Sequence, residues 1–345
     1  MYQPAAADLS RLEAFFAAAK RVCIVVHTHP DGDAVGSGTA LLAYFRRCRD
    51  INARLLLPDP APASLEFLLR PDDTVTDPAP AKEWIAACDL LVCLDMKGFS
   101  RAGGLEEALR ACGAPKILID HHLHPDREAF DLVFSETEIS SASELLYWIL
   151  SALPGAALPL EVLTPLMAGM TTDTNNFANS VYPSTLEMAS KLLAAGVDRD
   201  ALLERLYQSF CERRLRAMGE FLGKCLVVTS DGVAYAILDK AFLERFGLEE
   251  GDTEGFVNLP LAIDTVRLSI FLREDKGHFR VSLRSKRGVS ANTLAHESFH
   301  GGGHEQAAGG RLYFPEDIAS PKGAAQYIET VAARFMRSSA PAHQD

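Results

Sequence analysis

His27, Asp31 and Asp33 share the stretch "HTHPDGDAVGS", which directly follows the apolar run "VCIVV". A turn would account for the glycines, because glycine tolerates positive φ. It would not account for an imidazole and two carboxylates arriving together. Asp95 follows the apolar run in "CDLLVCLDM", Asp120, His121 and His122 close "PKILIDHH", and Asp173 lies in "TTDT". Carboxylates with a few imidazoles suit a divalent cation of intermediate hardness, and two such ions about 3.5–4 Å apart share a bridging carboxylate. His27, Asp31 and Asp33 can serve two adjacent ions from one loop, Asp95 can reach between them, and His121 and Asp173 can complete the ligands of the second ion. The set contains no cysteine, which disfavours structural zinc. Mostly oxygen donors with a histidine for each ion favour Mn²⁺, with Mg²⁺ or Co²⁺ as alternatives. Two such ions lower the pKa of a water and clamp phosphoryl oxygens, so the chemistry is hydrolysis of a phosphate ester or anhydride. Taken singly, an Asp after a strand is usually a turn or helix-capping residue; only together do these acids point to metal.

For four separate segments to cooperate, their elements must end at one place. "RVCIVVHTH", "ARLLLP", "CDLLVCLDM" and "PKILIDHH" are apolar strand-like runs separated by helical stretches, beginning with "GSGTALLAYFRRC". That alternation predicts an α/β fold with a parallel sheet covered on both faces. In such sheets ligands bind beyond the carboxyl ends of the strands, where the acids and imidazoles fall. "SASELLYWILSAL" and "LEVLTPLMAGM" predict two further helices, the second ending at Asp173.

The 345 residues suggest two domains. A catalytic domain is expected over 1–199, a connecting helix over 200–223, a smaller α/β, glycine-rich domain over 224–338 and a disordered tail over 339–345. The second domain reads as a half-exposed sheet with "DG" and "DKG" turns. There, "VSLRSK" carries Ser282 and Arg284, and "HGGGHEQAAGG" carries Gly301, Gly302, Gly303 and His304. Consecutive glycines let backbone N–H groups approach an anion, His304 adds a donor, and Arg284 supplies a bidentate phosphate partner.

Mean hydropathy near zero and no apolar run approaching the roughly 20 residues of a membrane span predict a cytoplasmic globular enzyme. The seven cysteines form no CxxC pair and read as reduced packing residues. A net charge of −12 argues against coating long nucleic acid, duplex included, but leaves room for a short anion.

The motifs "HTHPDGDAVGS", Asp95 in "CLDM", "DHH" at Asp120 and Asp173 in "TTDT" resemble the four motifs of the DHH phosphoesterase superfamily. "VSLRSK" with "GGGHEQAAGG" resembles its associated glycine-rich domain, and the nearest subgroup is the bacterial nano-RNase type, similar to oligoribonuclease and pAp phosphatase. The resemblance implies that His27, Asp31 and Asp95 hold one metal, while Asp33, Asp95, His121 and Asp173 hold the other. It further implies that Asp120 orients the histidines, and that His122 is catalytic and bonds the scissile phosphate. The glycine-rich domain would grip the nucleotide's far end, so that two sites measure a short substrate. Implied substrates are short 5′-phosphorylated RNA, linear dinucleotides such as pApA and pGpG, and pAp, with cyclic dinucleotides less favoured. A homodimer is implied on the same ground. Asn176 and Phe177, beyond the fourth motif, are candidates for contacting a base. Within enzymes the alternative is an inorganic pyrophosphatase or exopolyphosphatase; outside them, a nucleotide-binding regulator without catalysis.

Overall fold

Side chains alternate across a strand, and in Arg21–Val25 (β1) both resulting faces are apolar: Val22 and Ile24 enter one hydrophobic core, Cys23 and Val25 another. The same division recurs in Leu90–Leu94 (β4) and Lys116–Asp120 (β5), where Leu90, Val92, Ile117 and Ile119 join the first core and Leu91, Cys93 and Leu118 the second. This two-sided burial is the reason these runs are continuously apolar. The computed structural model describes residues 3–155, 157–249 and 251–338; the expected tail, 339–345, lies outside them. The chain divides into Met1–Ser209 and Phe210–Asp345.

In the first unit, Asn52–Leu56 (β2), Thr74–Val75 (β3) and Leu132–Ser135 (β6) complete a six-stranded sheet of order β3-β2-β1-β4-β5-β6. Every neighbouring pair is parallel. Strands β3 and β6 went unread in the sequence because each is too short to display a pattern. One face is covered by Ala6–Ala18 (α1), Gly32–Cys48 (α2), Ala142–Ala152 (α5), Leu160–Asp173 (α6), Pro183–Ala194 (α7) and Arg199–Tyr207 (α8). The other is covered by Pro78–Ala87 (α3) and Glu106–Ala111 (α4). Strand order reverses between β1 and β4, the switch point where doubly wound sheets open a crevice.

Helix α2 is buried from Gly32 through Phe45, beneath α6 among others. Its backbone comes close to that of α6: a Cβ on Gly36 would stand 2.6 Å from Pro165 O and 2.8 Å from Gly169 N. Helix α2 starts at the "DGD" acids and α6 ends at Asp173, so this contact sets the distance between two of the predicted site segments.

The single connecting helix expected over 200–223 is instead two helices, α8 and Glu212–Glu220 (α9), with one wide π turn at Phe221–Cys225 after them. The break falls where the chain changes core. Leu202 and Leu206 pack in the first unit, whereas Ala217 and Phe221 pack in the second. Cys211 is extended, and Arg214 is held by the Phe210 ring, 3.4 Å from its centroid, and by the carbonyls of Asp252 and Glu254.

The second unit contains Val227–Val228 (β7), Val233–Leu238 (β8), Lys240–Phe246 (α10), Leu268–Asp275 (β9), His278–Ser285 (β10), Ala291–Ser298 (α11), Gly302–Gly303 (β11), Ala307–Tyr313 (β12) and Ala324–Ser338 (α12). Its sheet has the order β11-β12-β10-β9-β8-β7, antiparallel except for β8 with β9. The half-exposed alternation expected here holds for β10 but not for β8 or the first part of β9. Those central strands lie between two small cores, one under α11 and α12 and one under α9 and α10. Among the described residues, no helix is long and apolar enough to cross a membrane.

Gly36→Ala forces a methyl group into the backbone of α6, where no flexible side chain can yield. The expected loss is about 1–3 kcal/mol, read as a lower Tm; an unchanged Tm would show that the two helices do not meet there.

Candidate active site

Strands β1 and β4 pair with Val25 opposite Cys93, so His27 and Asp95, each two residues further on, leave the sheet side by side. Strand β5 pairs with Leu94 opposite Ile119, which brings Asp120, His121 and His122 to the same edge. Asp95 adopts a left-handed backbone conformation, φ +54°, while its N–H continues the ladder to Ile119 O. Its two oxygens diverge. Oδ2 lies 3.4 Å from His27 Nε2, and Oδ1 lies 3.3 Å from His121 Nε2.

Around these contacts the predicted residues fall into two groups. His27, Asp31 and Asp95 bring one ligand atom each within 4.8 Å of one another, and so do Asp33, His121 and Asp173. Asp31 is the N-cap of α2, with Oδ1 accepting from the N–H groups of Asp33 and Ala34. Its Oδ2 lies 3.8 Å from His27 Nε2. His121 Nε2 is 3.7 Å from Asp33 Oδ2 and 3.5 Å from Asp173 Oδ2.

The donor set fits two divalent cations on grounds internal to the structure. Nitrogen-to-oxygen separations of 3.3–3.8 Å across both groups exceed those of direct hydrogen bonds. Asp95 Oδ1 is buried without a hydrogen-bond partner, a costly state for a carboxylate oxygen that a cation would relieve. His27 Nδ1 is 2.8 Å from Thr28 O, which holds Nε2 toward the acids as in ligating histidines. Without a cation the charges adjust among themselves. Burial alone would lower the pKa of both histidines, but Asp31 and Asp95 raise His27, and Asp95 with Asp173 and Asp33 raises His121, each to about 10. Burial and the charges of Asp31 and Asp95 carry Asp173 up to about 7, against the pull of His121. Burial with Asp95 and Asp173 raises Asp33 as well. Asp95 stays well below the usual carboxylate range because, against the effect of burial, the neighbouring His121 and His27 imidazoles favour its charged form.

Asp120 is fully buried and sits 2.7 Å from Nδ1 of His122. A carboxylate at that distance requires Nδ1 to be the donor. The expected orienting contact of Asp120 is therefore with His122. Asn176 and Phe177 are placed differently from a simple base platform. Both have left-handed backbones; Phe177 packs against the main core, and Arg199 bonds Asn176 Oδ1 while its guanidinium lies over the Phe177 ring.

Sequence reasoning missed the support for Asp33. The first amides of α5 point at it, with Ala142 N donating to Oδ2 at 2.6 Å and Ser143 N to Oδ1 at 2.9 Å. An anion at a helix N-terminus is held by unpaired N–H groups and the helix dipole. The start of α5 is in turn fixed by Ser141, whose Oγ accepts from Glu144 N, and by buried Glu144, which accepts from Ser140, Thr185 and Trp148. The available signal was "SASE", a Ser-x-x-Glu helix start.

In the second unit, Ser282 of β10 is in register with Gly309 of β12, which is in register with Gly302 of β11. Arg284 pairs with Ala307 two residues along, and His304 comes directly after β11. The structure thus gathers the predicted anion-recognising residues at one sheet edge. The glycine run serves it differently than expected. A Cβ on Gly301 would meet Gly309 O at 1.9 Å, so its absence is needed for β11 to pack on β12. The N–H groups of Gly301, Gly303 and His304 are spent on Ala295 O, Asn292 Oδ1 and Ala307 O. These three amides are therefore not available as a cradle for an anion.

Residues 21–170 match the model of the DHH family N-terminal domain, and residues 230–325 match that of the DHHA1 domain. The chain belongs to the DHH family and is a hydrolase of the phosphodiesterase and phosphatase class. Among its relatives, it is 30% identical to the bifunctional oligoribonuclease and PAP phosphatase NrnA of Thermus thermophilus, over 84% of each chain. It is 31% identical to the probable bifunctional oligoribonuclease and PAP phosphatase NrnA of Streptococcus mutans, over 84% of this chain and 89% of that one. The crystal structure of an exopolyphosphatase-related protein from Bacteroides fragilis superposes with a TM-score of 0.89 at 32% identity, covering 97% of this chain and 98% of the other.

Ala142 occupies the first position of α5, where proline is tolerated. Ala142→Pro should therefore keep the helix yet delete one donor to Asp33, weakening Mn²⁺ binding about 10–100-fold with an unchanged circular dichroism spectrum. Because His27 and His121 bind protons up to about pH 10 in the cation-free protein, Mn²⁺ must displace protons at neutral pH. Apparent affinity should rise as pH increases from 6 to 9, and titration calorimetry in buffers of different ionisation enthalpy should detect proton release.

Proposed function

We propose that this protein hydrolyses short 5′-phosphorylated oligoribonucleotides and linear dinucleotides such as pApA and pGpG to mononucleotides. The 3′-phosphate of pAp is a further substrate, and the metals are two divalent cations, Mn²⁺ foremost. The observation that carries this reading is the orientation of Asp95, one oxygen toward His27 and the other toward His121. That arrangement suits a carboxylate shared by two cations. His27, Asp31 and Asp95 would hold one, and Asp33, Asp95, His121 and Asp173 the other. Bound there, the ions would lower the pKa of a water and draw charge from the phosphoryl oxygens.

The chain's own residues supply the rest. His122, with Nδ1 donating to Asp120, presents Nε2 to a phosphoryl oxygen and supports charge that grows on it as the ester bond breaks. Asp120 fixes the tautomer by accepting that proton. Arg284, Ser282 and His304 of the second unit hold a terminal phosphate of the nucleotide, which favours short substrates over long strands. The names of the Thermus and Streptococcus relatives support the nucleotide reading. The name of the Bacteroides fragilis protein favours a second one, hydrolysis of phosphoanhydrides.

One panel separates them: the purified protein with Mn²⁺ against pyrophosphate, polyphosphate, pAp, pApA, pGpG, cyclic di-AMP and RNAs of two to about twenty nucleotides. Fastest turnover is expected on pApA, pGpG and the shortest RNAs. Pyrophosphate or polyphosphate as the only good substrate would overturn the nucleotide reading, and tight nucleotide binding without turnover would make the chain a regulator. On pApA, Asp95→Ala should abolish turnover at saturating Mn²⁺, and His122→Asn should lower kcat about 10²–10⁴-fold with little change in KM. Arg284→Ala should mainly raise KM. Unaltered kinetics in all three variants would refute the residue assignments.

A further inference from the structure

Three cysteines meet at the N-terminal edge of the first unit's sheet, the end opposite the carboxylates. Cys23 lies within β1, Cys88 caps the C-terminus of α3 just before β4, and Cys112 caps the C-terminus of α4 just before β5. The sulfurs of Cys88 and Cys112 are 3.8 Å apart. Both thiols also donate to one carbonyl, Ile85 O, at 3.2 and 3.4 Å. That shared acceptor holds the two side chains toward each other. Cys88 is partly exposed, whereas Cys23 and Cys112 are buried.

Packing alone does not need two thiols aimed at one acceptor. We propose that Cys88 and Cys112 are a redox-active pair, a site of reversible modification that takes up a disulfide when the protein meets a hydroperoxide. A disulfide needs its sulfurs about 2.05 Å apart, so the two sulfurs must close from 3.8 Å to bond. In the first step the Cys88 thiolate attacks the peroxide, whose O–O bond breaks, releasing an alcohol or water and leaving Cys88 as a sulfenic acid. In the second, the Cys112 sulfur attacks the Cys88 sulfur and expels the hydroxyl as water. Two thiols are oxidised and one peroxide is reduced. Hydrogen bonds from Cys23, and secondarily from Cys112, bring the Cys88 thiol down to about 7 despite partial burial. Cys23 itself is raised by burial and stays a thiol. The Asp89 carboxylate works against that lowering at Cys88, while Lys116, whose ammonium bonds Cys112 O, favours the thiolate of Cys112.

The test treats the full-length reduced protein with a slight excess of hydrogen peroxide and maps the cysteines by differential alkylation and mass spectrometry. The expected result is a monomer lighter by two hydrogens with Cys88 joined to Cys112, reversed by dithiothreitol. In Cys112→Ser the sulfenic acid should persist on Cys88 and be trapped by dimedone. Cys48→Ser with Cys211→Ser, which removes the two exposed thiols, should leave the Cys88–Cys112 link unchanged. The proposal is overturned if Cys88 and Cys112 remain fully alkylatable while Cys48 and Cys211 oxidise, or if Cys88 is found joined to Cys23.

Discussion

Four carboxylates brought against two imidazoles at the edge of a buried sheet set the terms for the first unit. Like charges at such range repel, and burial removes the water that would screen them. The chain answers with its own dipoles and protons. Two amides of α5 hold Asp33, two amides of α2 hold Asp31, and the protonated histidines share Asp95. One buried Asp95 oxygen is still left with no partner, among separations too long for hydrogen bonds. Such a group of side chains could hold a metal ion.

The same constraint explains why α2, α5 and α6 pack as they do. Helix α2 begins at the acids, α6 ends at Asp173, and α5 aims its N-terminus at Asp33. These segments must converge within a few ångströms. That convergence is achieved by omitting side chains where α2 crosses α6, at Gly36 and Gly169. A Cβ on Gly169 would stand 2.8 Å from Asp33 Oδ1, so helix packing and site geometry are set by the same atoms. Glu144 extends this logic outward, since its bonds to Ser140, Thr185 and Trp148 fix the helix start that fixes the carboxylate.

The second unit uses glycine for a related purpose. Gly301 lets the short strand β11 pack on β12, and that pairing places His304 near the rungs bearing Ser282 and Arg284. The amides of Gly301, Gly303 and His304 are bonded within the second unit itself, to Ala295 O, Asn292 Oδ1 and Ala307 O.

Much of the site was legible in the chain itself. His27, Asp31, Asp33, Asp95 and His121 follow apolar runs whose alternation with helical stretches predicts a parallel sheet, and such sheets gather at one edge the residues just beyond their strands; Asp173 ends an apolar helix. Residue type and spacing therefore determined the fold class and the edge at which these acids and imidazoles gather. The tertiary structure alone decided which residues act on which. That Asp120 serves His122, that the N-terminus of α5 grips Asp33, that Phe177 packs against the core, that the amides of Gly301, Gly303 and His304 are already bonded, and that α8 and α9 are separate all depend on contacts between distant segments. A local sequence pattern records which face of an element is buried; it does not record what lies against that face, because that is fixed only when the elements pack.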